Sequence, residues 1–180
     1  MSGARRLVAL VAGMLSCAWC GAAVTPHEYQ VKAVFLFNFG QFVEWPKQAY
    51  DTPQAPFVIC ILGEDPFGRT IDDVVRGESI GPHSLVVRRL KKPGESSDCK
   101  ILFIGRSESE RLGDALAAVQ GQSVLTVTDI EGAEKQGAII VLFNDNNRIR
   151  MRINLAAAKS QQLVLSSKLL RPAEVIGEGG

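Results

Sequence analysis

Few side chains in this sequence have the type and spacing that chemistry needs. Its two histidines stand apart, His27 near the start of the chain and His83 in a Gly81-Pro82-His83 turn. Neither has a second ligand at metal-binding spacing, and no HExxH appears. A serine near His83 would make a hydrolase pair only with further groups in supporting positions, and the residue order offers none. Two loops follow apolar runs, where a doubly wound sheet places its ligands. GEDPFG, from Gly63, lacks the glycine spacing of a dinucleotide loop and the GK[ST] of a phosphate loop. GRSESE, from Gly105, offers Ser107 at a helix start as a cradle for a small anion. The same Ser107, with Glu110 three residues on, also reads as an ordinary capping box. No catalytic set, metal site or cofactor site follows from these residues, and the chain is expected not to be an enzyme.

Two other features suit a protein partner. Arg148, Arg150 and Arg152 alternate with Ile149, Met151 and Ile153, which gives a strand one basic and one apolar face. Near the C-terminus, Lys168 and Arg171 flank Leu169 and Leu170. Apolar surface rimmed by arginine is the make-up of an interface. Arg148, Arg150, Arg152, Lys168, Leu169, Leu170 and Arg171 are therefore the expected partner-binding residues. A solvated strand face and a docked terminal helix would look the same in sequence.

The rest of the chain must position these groups. It has 180 residues, enough for one domain with a core. The formal net charge is +1 with no Lys/Arg block, which argues against nucleic acid as a partner. Arg5 and Arg6, then LVALVAGMLSCAW, then Gly21-Ala22-Ala23 have the three parts of an export signal. Residues 1–23 are expected to be a signal peptide cleaved after Ala22 or Ala23, leaving 24–180 as one domain with a flexible tail at 177–180. That chain keeps two cysteines, Cys60 and Cys99. An even pair in an oxidising compartment suggests a disulfide, although Cys60 lies in an apolar run and two buried thiols would read alike.

Tyr29 to Pro46 has aromatic residues near helical spacing and is expected to be a core helix, opened by Thr25-Pro26 and stopped by Pro46. Lys32, Asn38, Gln41 and Glu44 interrupt its apolar run. PFVICILG, SLVVRRL, CKILFIG and SVLTVTD read as strands. Helices are expected from Asp65-Pro66, with Ile71, Val74 and Val75 inward, and from Ser107 to near Gly121. GAIIVLFNDNNRIRMRIN reads as two strands around Asp145-Asn146-Asn147. Asn154 then opens a last helical region, LAAAKSQQ followed by SSKLLRPAEVI. Strands alternating with helices predict a single-domain α/β sandwich: a largely parallel mixed sheet flanked by helices, with a C-terminal antiparallel hairpin.

KAVFLFNFGQFVEWP, FVICILGEDPFG, CKILFIG and INLAAAKSQQLVLSSKLLRPAEVI, in this order, resemble the YfiR-like family of exported bacterial proteins. The resemblance runs from about Tyr29 to Ile176. It implies a periplasmic regulator that binds the periplasmic sensor domain of an inner-membrane diguanylate cyclase and represses it, lowering cyclic di-GMP and biofilm formation. It also implies a homodimer that responds to redox state through disulfides. Cys60 and Cys99 match one of the family's two cysteine pairs, and residues 130–160 contain no cysteine to supply the second. The alternative is a periplasmic small-molecule-binding sensor or transport accessory subunit. It would hold an unidentified ligand in the loops after Leu62 and Ile104.

Overall fold

A computed structural model describes residues 26–177. The expected signal peptide, and the tail beyond Gly177, lie outside the described residues. The chain opens with helix α1 (Pro26–Phe42) and a short strand β1 (Val43–Glu44). It continues through β2 (Phe57–Leu62), α2 (Arg69–Val75), β3 (Ser79–Ile80), β4 (His83–Leu90), β5 (Ile101–Ile104), α3 (Leu112–Ala118) and β6 (Leu125–Thr128). It closes with β7 (Ile140–Asp145), β8 (Arg148–Asn154), α4 (Leu155–Ser160), β9 (Val164–Leu165), α5 (Ser167–Leu170) and β10 (Glu174–Ile176).

The main sheet has the order β10-β8-β7-β6-β5-β2-β4-β3. All pairs are parallel except β7–β8 and β3–β4, and β1 forms a separate antiparallel pair with β9. This is the mixed, mostly parallel α/β sheet that the alternation of elements predicts. Its central strands are buried on both faces, which is why FVICIL and ILFI are continuous apolar runs. One face carries Ile59, Ile61, Ile101 and Phe103 against Ala33, Leu36 and Phe39 of α1 and Ile71 of α2. The other carries Cys60, Leu62, Leu102 and Ile104 against Leu112, Ala115 and Val119, from α3 and its C-terminal end. Cys60 and Cys99 form a disulfide on this second face, with Cα atoms 5.8 Å apart and both residues fully buried. At the β7–β8 turn, Asn146 and Asn147 both have positive φ, 51° and 63°, as a tight two-residue hairpin requires.

Several elements differ from expectation for local reasons. α1 stops at Phe42 rather than at Pro46, because Val43 and Glu44 pair with Leu165 and Val164. α2 starts at Arg69 rather than at Asp65. The Asp65 carboxylate accepts from the Phe67 and Gly68 N–H groups and holds a turn there first. A 3₁₀ segment, Arg106–Arg111, precedes α3, and Ser107 is not its cap. The last helical region is split. Asn154 caps α4 by accepting from the Ala157 N–H at 2.9 Å, as expected, but α5 ends at Leu170 and Glu174–Ile176 becomes β10. β10 lies outside β8, so the arginine strand is second from the edge and the hairpin is not the edge of the sheet.

Candidate functional site

The two loops that could have held a ligand close on each other instead. The Ser107 hydroxyl accepts from the Glu64 N–H at 2.9 Å, and the Gly105 N–H donates to the Leu62 carbonyl at 3.0 Å. Gly63 adopts φ 89°, and a Cβ there would stand 2.4 Å from the Ser107 hydroxyl oxygen, so the two turns meet with no room for a side chain. Arg89 locks the first loop to β4. Its guanidinium donates to Asp65 at 2.9 Å, to Asp72 at 2.6 and 2.8 Å and to the Gly68 carbonyl at 2.8 Å. Hydrogen bonding from Arg89 holds the Asp72 carboxyl below its ordinary range.

Beside these loops lies a charged cluster that the sequence did not announce. Lys32 of α1 is completely buried. Its ammonium sits 2.5 Å from Glu28 and 2.6 Å from Asp129, which follows the end of β6. Asp129 also accepts from the Tyr29 hydroxyl at 2.8 Å, and the Arg106 guanidinium stands 3.3 Å away. All these groups meet one carboxylate oxygen, Oδ2. The other, Oδ1, is buried with no hydrogen-bond partner among the described residues. Two cations face two carboxylates, so the cluster is balanced, and its centre is closed to solvent. Its chemistry is that of an anchor: it fixes the first turns of α1 to the carboxyl ends of the strands.

Both tyrosines in the sequence are shifted upward. Burial, then the charge and hydrogen bond of Asp129, raise Tyr29 well above the ordinary phenol range. Burial pushes Tyr50 up to about 12. Tyrosinate absorbance at alkaline pH should therefore be missing near pH ~10 in the native protein and appear there once urea unfolds it. The sign follows from the neutral form being favoured in the fold. The contribution to stability is complete below the unfolded value and is lost as pH rises from there through about 12. Native titration near the ordinary phenol value would contradict the burial of both rings.

The expected partner-binding residues fall into two groups: the arginines of β8 project from the face opposite Met151 and Ile153, whereas α5 packs in the same core cluster as those two residues. Arg150 pairs with Asp145 at 3.0 Å and Glu174 at 3.5 Å. Arg152 pairs with Glu174 at 2.9 Å and Glu134 at 3.3 Å, and lies over the Phe143 ring. The basic face is thus largely neutralised by the chain's own acids, while Arg148 at the hairpin is exposed. Leu169 is buried as a core anchor and Leu170 packs against the core, while Lys168 and Arg171 are exposed. β10 joins the two groups, since Glu174 follows Arg171 closely and holds both Arg150 and Arg152.

Gly77-Glu78-Ser79-Ile80-Gly81 also has the spacing of a G-x-S-x-G nucleophile elbow. Its setting is different. Ser79 lies on the two-residue edge strand β3 opposite Ser84, not on a strand-to-helix turn. The His83 ring is stacked on Tyr50 at 3.9 Å, and its Nδ1 lies 2.6 Å from the Ala55 carbonyl oxygen. A cleft of about 390 Å³ opens here, at the starting end of β4, lined by Trp45, Tyr50, Pro53, Pro82 and His83 among others. Among the described residues no cluster of His, Cys, Asp and Glu could hold a metal ion, and no helix is long and apolar enough to cross a membrane.

A protein-family model described as YfiR/HmsC-like matches residues 29–174, from the second turn of α1 to the start of β10. No curated protein matches the chain.

Proposed function

We propose that this chain, which belongs to the YfiR/HmsC-like family, is a periplasmic regulator that binds the sensor domain of an inner-membrane diguanylate cyclase and holds the enzyme inactive. The observation that carries this reading is the family match, which takes in nearly every described element. A regulator of this kind shifts its target only by the difference in its affinity for the target's two states. Lowered cyclic di-GMP and reduced biofilm formation would follow from preferring the inactive state. The test is capture of the protein's partners from solubilised inner membranes, with mass spectrometry to identify them. Recovery of a membrane diguanylate cyclase supports the reading, and recovery of transporter subunits or a different sensor instead would overturn it.

The contact residues are proposed to be Arg148, Arg150 and Arg152 on β8 and Lys168 to Arg171 around α5, next to β10. Reversing Arg150 and Arg171 to glutamate should weaken binding to the purified sensor domain by about tenfold or more. Unchanged affinity removes this surface and leaves the regulatory reading standing. A second reading is favoured by the cleft lined by Trp45, Tyr50, Pro53, Pro82 and His83, whose size and apolar walls suit a small molecule. It predicts that some small molecule raises the melting temperature, because a ligand that binds only the native state stabilises it.

A further inference from the structure

Lys100 is a buried lysine whose charge the chain leaves unanswered. It stands just before β5 and just after Cys99 of the disulfide. Its backbone is fixed there: the N–H donates to the Val58 carbonyl at 2.8 Å, and the carbonyl accepts from the Leu125 N–H at 2.9 Å. Only 7% of the residue is exposed. Lysine is almost never buried so far without a paired charge. Lys32 obeys that rule, with two carboxylates against its ammonium. Lys100 does not, since no carboxylate among the described residues lies within 4.0 Å of it. Of its N–H donors, one reaches the Asp98 carbonyl at a long 3.4 Å, and the ammonium lies 5.2 Å from the centre of the Tyr50 ring.

Lys100 lines a cavity of about 500 Å³ near the amino ends of β2 and β5, a size that suits a small molecule. Ala55, Pro56 and Val58 give it an apolar wall, and Gln48 and Ser97 add polar groups. Two acids also line it. Asp98 is already paired with Arg88, and Asp51 is exposed. The cleft at His83 is a different space, and only Asp51 lines both.

We propose that this cavity binds a small organic monocarboxylate, with its carboxylate against the Lys100 ammonium and its body against Ala55, Pro56 and Val58. A buried ammonium with no counter-ion favours an anion that reaches it. The other lining groups narrow the choice. Asp51 brings a negative charge to the cavity, which opposes a dianion more than a singly charged ligand. The apolar wall rewards an organic body, which an inorganic anion lacks. Burial holds Lys100 below the ordinary lysine range, while Asp51 and Asp98 act the other way. A seated carboxylate acts with the two acids and keeps the ammonium protonated.

Heteronuclear NMR titration of the purified protein with butyrate, benzoate and inorganic phosphate tests this. Butyrate or benzoate should move the Gln48, Asp98 and Lys100 amide signals saturably, with a Kd below about 10 mM. Lys100→Met should weaken this by about tenfold or more. It should keep or raise the melting temperature, because it removes an unanswered buried charge. Asp51→Asn should tighten binding about two- to threefold by removing the opposing charge. Asp51 is exposed, so that variant stays folded and decides the matter even where Lys100→Met does not fold. No saturable shift at about 50 mM of either carboxylate overturns the proposal. So does binding that Lys100→Met leaves unchanged, or that Asp51→Asn fails to tighten. Phosphate binding as tightly as butyrate also overturns it, since the cavity would then accept any anion. None of these outcomes depends on which membrane protein the chain binds.

Discussion

Asp129→Ala should cost about 3–5 kcal/mol of folding stability, because it leaves the Lys32 ammonium in the interior without the fully buried one of its two counter-charges. Lys32 has no exposure through which it could recover hydration, and Glu28 alone remains in contact. The loss also frees the Tyr29 hydroxyl and Arg106, so the first turns of α1 lose their tie to the end of β6. Replacing both partners is a different experiment. Lys32→Met with Asp129→Leu removes both fully buried charges together and, leaving over only Glu28 at the rim of the cluster and the half-exposed Arg106, should cost clearly less than Asp129→Ala. The measurement is urea denaturation of the three proteins, read as a shift in midpoint at unchanged slope. If Asp129→Ala costs less than about 1 kcal/mol, or the double replacement is as damaging as the single one, the cluster is not a coupled anchor.

Removing the disulfide should have an effect of similar size. Cys60 and Cys99 close a loop with a sequence separation of 39, and in the chain-entropy account such a link stabilises the fold by roughly 4 kcal/mol. The double replacement Cys60→Ala/Cys99→Ala is the clean comparison, since a single replacement leaves a lone thiol in the core. Burial adds a kinetic expectation. Thiol exchange needs a thiolate to reach a sulfur, and both half-cystines are completely enclosed on the α3 face of the sheet. The native protein should therefore keep the bond in millimolar glutathione and lose it only at the rate at which the fold opens. Thiol quantification over time, with and without denaturant, checks this. Rapid reduction of the folded protein would instead make the pair a candidate redox switch, the role that the family resemblance implies for such disulfides.

The six longer strands, β2 and β4 to β8, were legible because their signal is local, whereas β1, β3, β9 and β10, of two or three residues each, were not. FVICIL and ILFI are too apolar and too short to be anything but buried strands, and the pair of asparagines marks the β7–β8 turn. α1 was legible as a core helix for the same reason, although not its end, which is set by pairing with β9 far along the chain. Lys32 was not legible. In sequence it is a polar break in an apolar run, and only a partner 97 residues away turns it into the centre of a buried cluster. Ser107 shows the same limit. It has the spacing of a helix cap, but its hydroxyl serves a loop 43 residues earlier. β10 was read as helix because Glu174-Val175-Ile176 is too short to show a period. Its state is decided by the open edge of β8, a tertiary fact.

The order of the strands also governs when the molecule can come into being as the chain is made. α1 is synthesised first, yet it shares its core with Met151 and Ile153 of β8, and its Lys32 waits for Asp129. The sheet grows outward from β2 and is completed at one edge by β10, the last element described. A nascent chain that has reached β5 holds α1 and four strands of the main sheet, β2 to β5, but neither Asp129 for Lys32 nor the β8 residues that share its core. Ala33, Leu36 and Phe39 already have β2, α2 and β5 to pack against, so what waits for the later part of the sequence is the buried charge of Lys32 and the contacts with β8. The first half of the chain can therefore begin to pack as it is made, but the end of α1 that carries Lys32 is settled only when β6 and β8 are in place.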